Sequence, residues 1–153
     1  MDAAAIEAAY QPFVAALRSG GFGPPTEGWS AEEVAAHVAL NNDLISAAAE
    51  ALMAGEPLNY DNIEVVDEAV LDSYVAEVGG LDGLADAVAA SAARLASAAA
   101  ALDEAGEAYP LPVLIIHEGR FVREGPEPLG GFIEGNVTFH LQMHLAQLLA
   151  LRE

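Results

Sequence analysis

Cysteine is absent from the 153 residues, and so is lysine. The first absence excludes disulfides, thiolate metal ligands and a cysteine nucleophile, so any thiol chemistry must use a thiol supplied from outside. The second leaves five arginines as the only fixed cationic side chains against 24 carboxylates, a formal charge of −19. A surface of that sign repels phosphate backbones and anionic lipid, whereas a nucleic-acid binder needs a cationic stripe that releases counterions. The expectation is no nucleic acid and no membrane among the partners. The start, MDAAAIEAAY, is acidic and amphipathic rather than basic and then apolar, and the apolar stretches elsewhere carry charged or polar interruptions. A soluble cytoplasmic protein is the expectation from that pattern. Also missing are a G-x-S-x-G elbow, a phosphate-binding glycine loop, a dinucleotide glycine pattern and a Glu-x-x-His pair, which disfavours hydrolase triads and di-iron carboxylate chemistry.

What is there is alanine and helical periodicity. The length suits one domain, spanning 1–153, and an alanine-rich composition with few β-branched runs favours helix over sheet. Ile6, Tyr10, Phe13, Val14 and Leu17 recur at helical spacing over about residues 3–18, with Pro12 implying either a kink or a regular part that begins near Gln11. Ser30-Ala31-Glu32-Glu33 is a capping box that opens a second helix. Its inward stripe runs Val34, His37/Val38, Asn41, Ile45, Ala48 and Leu52 and stops at Gly55. Residues 56–62 read as a loop, and a weaker helical pattern runs from Ile63 to Val78. Leu81, Leu84, Val88, Ser91, Leu95, Ala98 and Leu102 alternate threes and fours, the seam of a bundle helix over about 81–104. Two β-branched runs around Glu118-Gly119 suggest a small β-hairpin, and a final helix carries Phe132, Ile133, Val137, His140, Met143, His144, Gln147, Leu148 and Leu151 inward. The expected class is all-α: a four-helix bundle with an extra short helix and a small hairpin before the last helix.

His140 and His144 stand four apart on that last helix, so both imidazoles leave one face, one turn above the other. In a bundle, His37 near the start of the second helix can converge with the pair at one level. Three neutral imidazoles with an open position are a preferred set for zinc, with nickel, copper or iron as alternatives. Each of these histidines alone reads first as a part-buried residue with a hydrogen-bond partner, and the H-x3-H spacing lacks the glutamate of H-E-x-x-H metalloproteases. His117 reads as a solvated loop residue. Asn41 and Gln147 each read either as a partner that orients a metal ligand or as an inward amide satisfied elsewhere, and Trp29 and Tyr10 read as packing residues.

Gly28-Trp29-Ser30-x-x-Glu33-Val34-x-x-His37, then Leu52-Met53-Ala54-Gly55-Glu56-Pro57, and finally His140-x3-His144-Leu145 resemble the DinB/YfiT-like superfamily, and within it the N-terminal metal-binding domain of mycothiol-dependent maleylpyruvate isomerases. The resemblance implies a DinB-like bundle with a divalent metal, zinc or nickel, held by His37, His140 and His144. In the isomerase the first member of the terminal pair is often glutamate, so His140 brings this chain closer to three-histidine relatives. The isomerase has a second domain that contributes to its active site, without a counterpart in these residues. The resemblance therefore implies a metal-dependent transferase that uses a low-molecular-weight thiol such as mycothiol against an electrophile, rather than isomerisation of maleylpyruvate. Two other readings stand beside it: a non-catalytic metal or small-molecule binding module, as a homodimer, and a metal-dependent hydrolase.

Overall fold

The computed structural model describes residues 1–117 and 119–153. Helix α1 spans Ala3–Ser19, with the Asp2 carboxylate accepting from the amides of Ala4 and Ala5. Pro12 neither breaks nor delays it: Pro12 and Ala8 both face solvent, where the carbonyl that lacks its helical donor can be hydrated. Helix α2, Ala31–Ala54, begins with the expected box, Ser30 capping the Glu33 amide at 3.2 Å and Glu33 returning to the Ser30 amide at 2.7 Å. It ends at Gly55 in the left-handed region, which glycine adopts without a Cβ penalty.

The next segment is more divided than its periodicity implies. Tyr60–Asp61 is a short strand β1, Glu64–Val66 a 3-10 turn, and Glu68–Val78 helix α3, capped by Asp67. The phase also shifts, for Val65 and Leu71 are buried while Ile63 and Val70 are exposed. Helix α4, Gly80–Ala101, buries the predicted seam Leu84, Val88, Ser91, Leu95 and Ala98. By length and composition α4 could cross a membrane, but half of its apolar window is buried within the fold, as in the core helix of a bundle.

After a single turn of helix, α5 (Glu104–Glu107), the hairpin is longer than expected: β2 is Pro110–His117 and β3 is Arg120–Pro128. The two pair antiparallel with an irregularity at Ile115/Ile116, and β1 joins β2 in parallel, giving the order β1-β2-β3. Of the expected turn residues, Glu118 lies outside the described residues, and Gly119 has a φ of 71°.

The last helical run starts directly at Leu129. It comprises α6 (Leu129–Gly135), a wider π-type segment Asn136–His140, and α7 (Leu141–Ala150). A π turn inserts one residue into the hydrogen-bond ladder and so rotates the helix beyond it. The inward face accordingly departs from a straight-helix reading: Leu141 is buried and Met143 is 50% exposed. Helices α1, α2, α4 and this last run surround one core built on Tyr10, Phe13, Leu17, Ile45, Leu84, Leu95, Ile133 and Leu148. The fold is thus a mostly helical bundle with an added short helix and a small three-stranded sheet late in the chain.

Candidate metal centre

His37 sits in the second turn of α2 and is 3% exposed. Its Nδ1 lies 2.7 Å from the Val65 carbonyl oxygen, supplied by the 3-10 turn. A carbonyl only accepts, so Nδ1 carries the proton and Nε2 is left with a bare lone pair. His144, on α7, is tied the same way: its Nδ1 is 2.9 Å from the Gln147 side-chain oxygen one turn on. Its Nε2 is unprotonated as well. His140, at the end of the π segment, places Nε2 3.1 Å from the Nε2 of His37 and 3.1 Å from that of His144.

The three ring nitrogens lie within 4.8 Å of one another. Two of them present lone pairs toward His140, whose single Nε2 proton can satisfy only one at a time. Such a knot of acceptors is what a cation resolves, and the Val65 and Gln147 oxygens hold the tautomers that a metal requires. Burial enforces the neutral state. Desolvation, then the charges that neighbouring imidazoles would carry, pushes His37 down to about 4 and His140 down to about 3 from an ordinary 6.5. Desolvation also lowers His144, partly offset by the Gln147 bond. All three rings are therefore uncharged at neutral pH, so no imidazolium opposes a cation there. The residues fit a divalent ion with nitrogen preference: three imidazoles, no thiolate, and one ring, His140, not fully buried, leaving approach to a further coordination position.

Trp29 closes one side. Its ring centroid is 4.9 Å from that of His37 and 6.2 Å from that of His144, nearly parallel to the latter at 19°. It is packing, as expected, against the histidines as well as the core.

Directly beneath lies a polar layer of which the sequence singled out Asn41 as an inward amide but not Asn42 or Asn136. Asn136 bonds through its amide nitrogen to the Tyr10 hydroxyl and to Asn42 Oδ1, both at 3.1 Å, and accepts from Asn41 at 2.8 Å. Tyr10 also donates to Asn42 at 2.7 Å, Asn42 donates to Ser91 at 3.2 Å, and the Tyr60 hydroxyl donates to Asn41. Burial drives both phenols above their ordinary range, so they remain neutral donors. Asn41 therefore serves this layer rather than any of the three clustered histidines, whereas Gln147 bonds His144. Asn42 carries no motif of its own in the sequence, and Asn136 only heads an Asn-Val-Thr match to a glycosylation sequon, which says nothing of this role. The only signal is their spacing, Asn136 four before His140 and Asn41-Asn42 one turn after His37. His117 lies at the exposed end of β2, apart from the cluster.

A family model described as the mycothiol maleylpyruvate isomerase N-terminal domain matches residues 3–114. The chain belongs to this family. Membership brings a mycothiol-related, DinB-like metal-binding domain type, consistent with the expected resemblance. The matched residues contain His37 but stop before His140 and His144, so the terminal pair is joined to the family's segment by the fold. Searches among curated proteins and among solved structures return no match.

Proposed function

We propose that the chain works as one DinB-like domain, 1–153, in which His37, His140 and His144 hold a divalent metal, zinc first and nickel as the alternative. On that centre a low-molecular-weight thiol, mycothiol by family, is transferred to an electrophile. The observation that carries this reading is the convergence of three Nε2 atoms on neutral rings, two of which, those of His37 and His144, have their tautomers fixed by Val65 and Gln147. A divalent ion held there would supply Lewis acidity, lowering the pKa of a thiol so that the nucleophilic thiolate is present at neutral pH.

The protein's own share is to hold and orient. The Val65 carbonyl and Gln147 keep the ring protons at Nδ1 of His37 and His144, away from the centre. Trp29 shields the His37 and His144 side from water, and His140 leaves the other side approachable. Phe139 and Met143, 75% and 50% exposed, flank the histidine pair along the helix and offer an apolar border to an electrophile's carbon skeleton. In the overall reaction the thiol S–H bond breaks and a C–S bond forms: either the electrophile's carbon releases a leaving group with its bonding electron pair and the proton goes to solvent, or a C=C π bond opens and its other carbon takes the proton. With no cysteine in the chain, the protein offers the electrophile no thiol of its own. A cytoplasmic setting suits a reduced thiol.

The test is metal content of the protein purified without chelators, for wild type and His140→Ala, followed by conjugation of a model electrophile with several thiols. One metal per wild-type chain, less in the variant, and a rate that depends on both metal and thiol are expected. A metal-free wild type that gains no metal on reconstitution overturns the site. A loaded protein with no thiol-dependent rate overturns the transferase reading and leaves a binding module.

A further inference from the structure

The layer beneath the histidines ties together the elements that carry them. Asn41 is one turn beyond His37 on α2, and Asn136 is one turn before His140 in the last helical run. Their side chains meet at 2.8 Å, Asn41 donating and Asn136 accepting. Asn136 is also the residue at which the helix widens: its own carbonyl accepts from the Leu141 amide, five residues on. The π geometry is rarer than the α-helix and needs support from its surroundings. Here that support is explicit, since the 6% exposed Asn136 side chain is bound at once by Tyr10 of α1 and by Asn41 and Asn42 of α2. No buried side-chain polar atom is left without a partner among the described residues. A fully satisfied network of this kind specifies one arrangement, because any slip of the helix leaves several buried groups unpaired.

The phase of the widened turn matters to the centre. One residue more or less in a helix turns everything beyond it by about 100°. If the wide turn relaxed to a regular helix, or moved along the chain, His140 and His144 would no longer leave the helix toward His37.

We propose that Asn136 and Asn41 are positioning residues for the three-histidine centre: their amide bridge pins the wide turn and so sets the direction in which His140 and His144 face His37. This rests on the metal-binding reading above. It adds that the geometry of the centre is set one layer below, by groups that touch neither metal nor substrate.

The experiment compares Asn136→Ala with Ser91→Ala, which removes a bond at the far end of the same network but leaves the Asn41–Asn136 bridge intact. Zinc affinity is read by competition with a chromophoric chelator, coordination by the visible spectrum of the cobalt-substituted protein, and ring positions by a crystal structure of the metal-free variant. For Asn136→Ala the expected result is a loss of about 10–100-fold in affinity, a changed cobalt spectrum and separated Nε2 atoms. Ser91→Ala should bind zinc as wild type does, even if it melts earlier. Should Asn136→Ala fail to fold, Asn41→Ala cuts the same bridge from α2 and is read in the same way. Unchanged affinity and spectrum, or an equal loss in Ser91→Ala, overturns the proposal. Failure of wild type to bind any metal instead overturns the underlying reading, and the metal-free crystal structure still decides positioning: Nε2 atoms that stay converged without the bridge refute it.

Discussion

Three imidazoles crowded into one buried knot make the metal-free protein sensitive to acid, and the size of the effect can be worked from the structure. At about pH 5 an unfolded imidazole, near its ordinary 6.5, is almost fully protonated. His37 and His140, held down to about 4 and about 3, are still mostly neutral in the folded chain. Unfolding at that pH takes up nearly one proton at each ring, so stability rises with pH across this window and falls as pH drops from the unfolded value toward the folded ones. At 1.4 kcal/mol per pH unit, moving from neutral to about pH 5 removes about 2 kcal/mol for each ring. The two together are a large share of the 5–15 kcal/mol typical of a domain. The chain's 24 carboxylates also respond to acid, and the neutralisation of a −19 surface acts in the opposite direction. That background cancels in a comparison with His140→Gln. Urea unfolding followed by circular dichroism, with chelator, at about pH 7.5 and pH 5 should show a smaller acid-induced loss in the variant, by about 2 kcal/mol. On the metal-binding reading, excess zinc at the milder pH should raise wild-type stability, because an ion held by the three neutral rings favours the folded chain. Identical acid-induced losses in wild type and variant would refute the claim that His140 is held neutral by burial among the other two.

Three other perturbations have defined outcomes. Trp29 is the only tryptophan and stacks beside His37 and His144, so zinc titration should change its fluorescence and saturate at one equivalent, a change that His37→Ala abolishes and His117→Ala leaves intact. Tyr10→Phe removes the hydroxyl that joins Asn42 to Asn136 while leaving the direct Asn136–Asn42 bond, so denaturant unfolding should register a loss of about 1–2 kcal/mol. Gly83→Ala places a Cβ against the carbonyl oxygen of Val78 where α3 turns into α4; a shift in melting temperature matching more than about 2 kcal/mol is expected, and a neutral effect would show that this turn gives way easily.

Much of the fold is legible in the chain before any packing is known. The Ser30 capping box, the seam of α4 and the stripe Ile6, Tyr10, Phe13, Val14, Leu17 are local patterns whose periodicity and cap chemistry depend only on neighbours in the chain. Each corresponds to an element in the fold, and Gln147 is one of the two amides whose positions suggest a partner for a ligand. The failures are of two kinds. Residues 63–78 divide at Asp67, a local cap of α3 that the periodicity alone passes over, while the 3-10 turn before it brings the Val65 carbonyl to His37, a contact across 28 residues that no local spacing encodes. Met143, inward on a straight helix, is half exposed because the π segment shifts the face, and that segment persists through Asn136's bonds to α1 and α2. Asparagines at helical positions look neutral in a sequence; their meaning is supplied by the partners that other helices bring.

The sequence by itself determined the helical class, the absence of any internal thiol, the acidic surface and the shared face of His140 and His144, since composition and a four-residue spacing need no tertiary information. Only the tertiary structure decided that His37 meets His140 of that pair at 3.1 Å, that Val65 and Gln147 fix two tautomers, and that an asparagine bridge underlies the whole. The reason is physical: a helix sets which side chains share its own face, but which faces meet, and at what height and rotation, is chosen by packing and buried polar satisfaction across the entire chain.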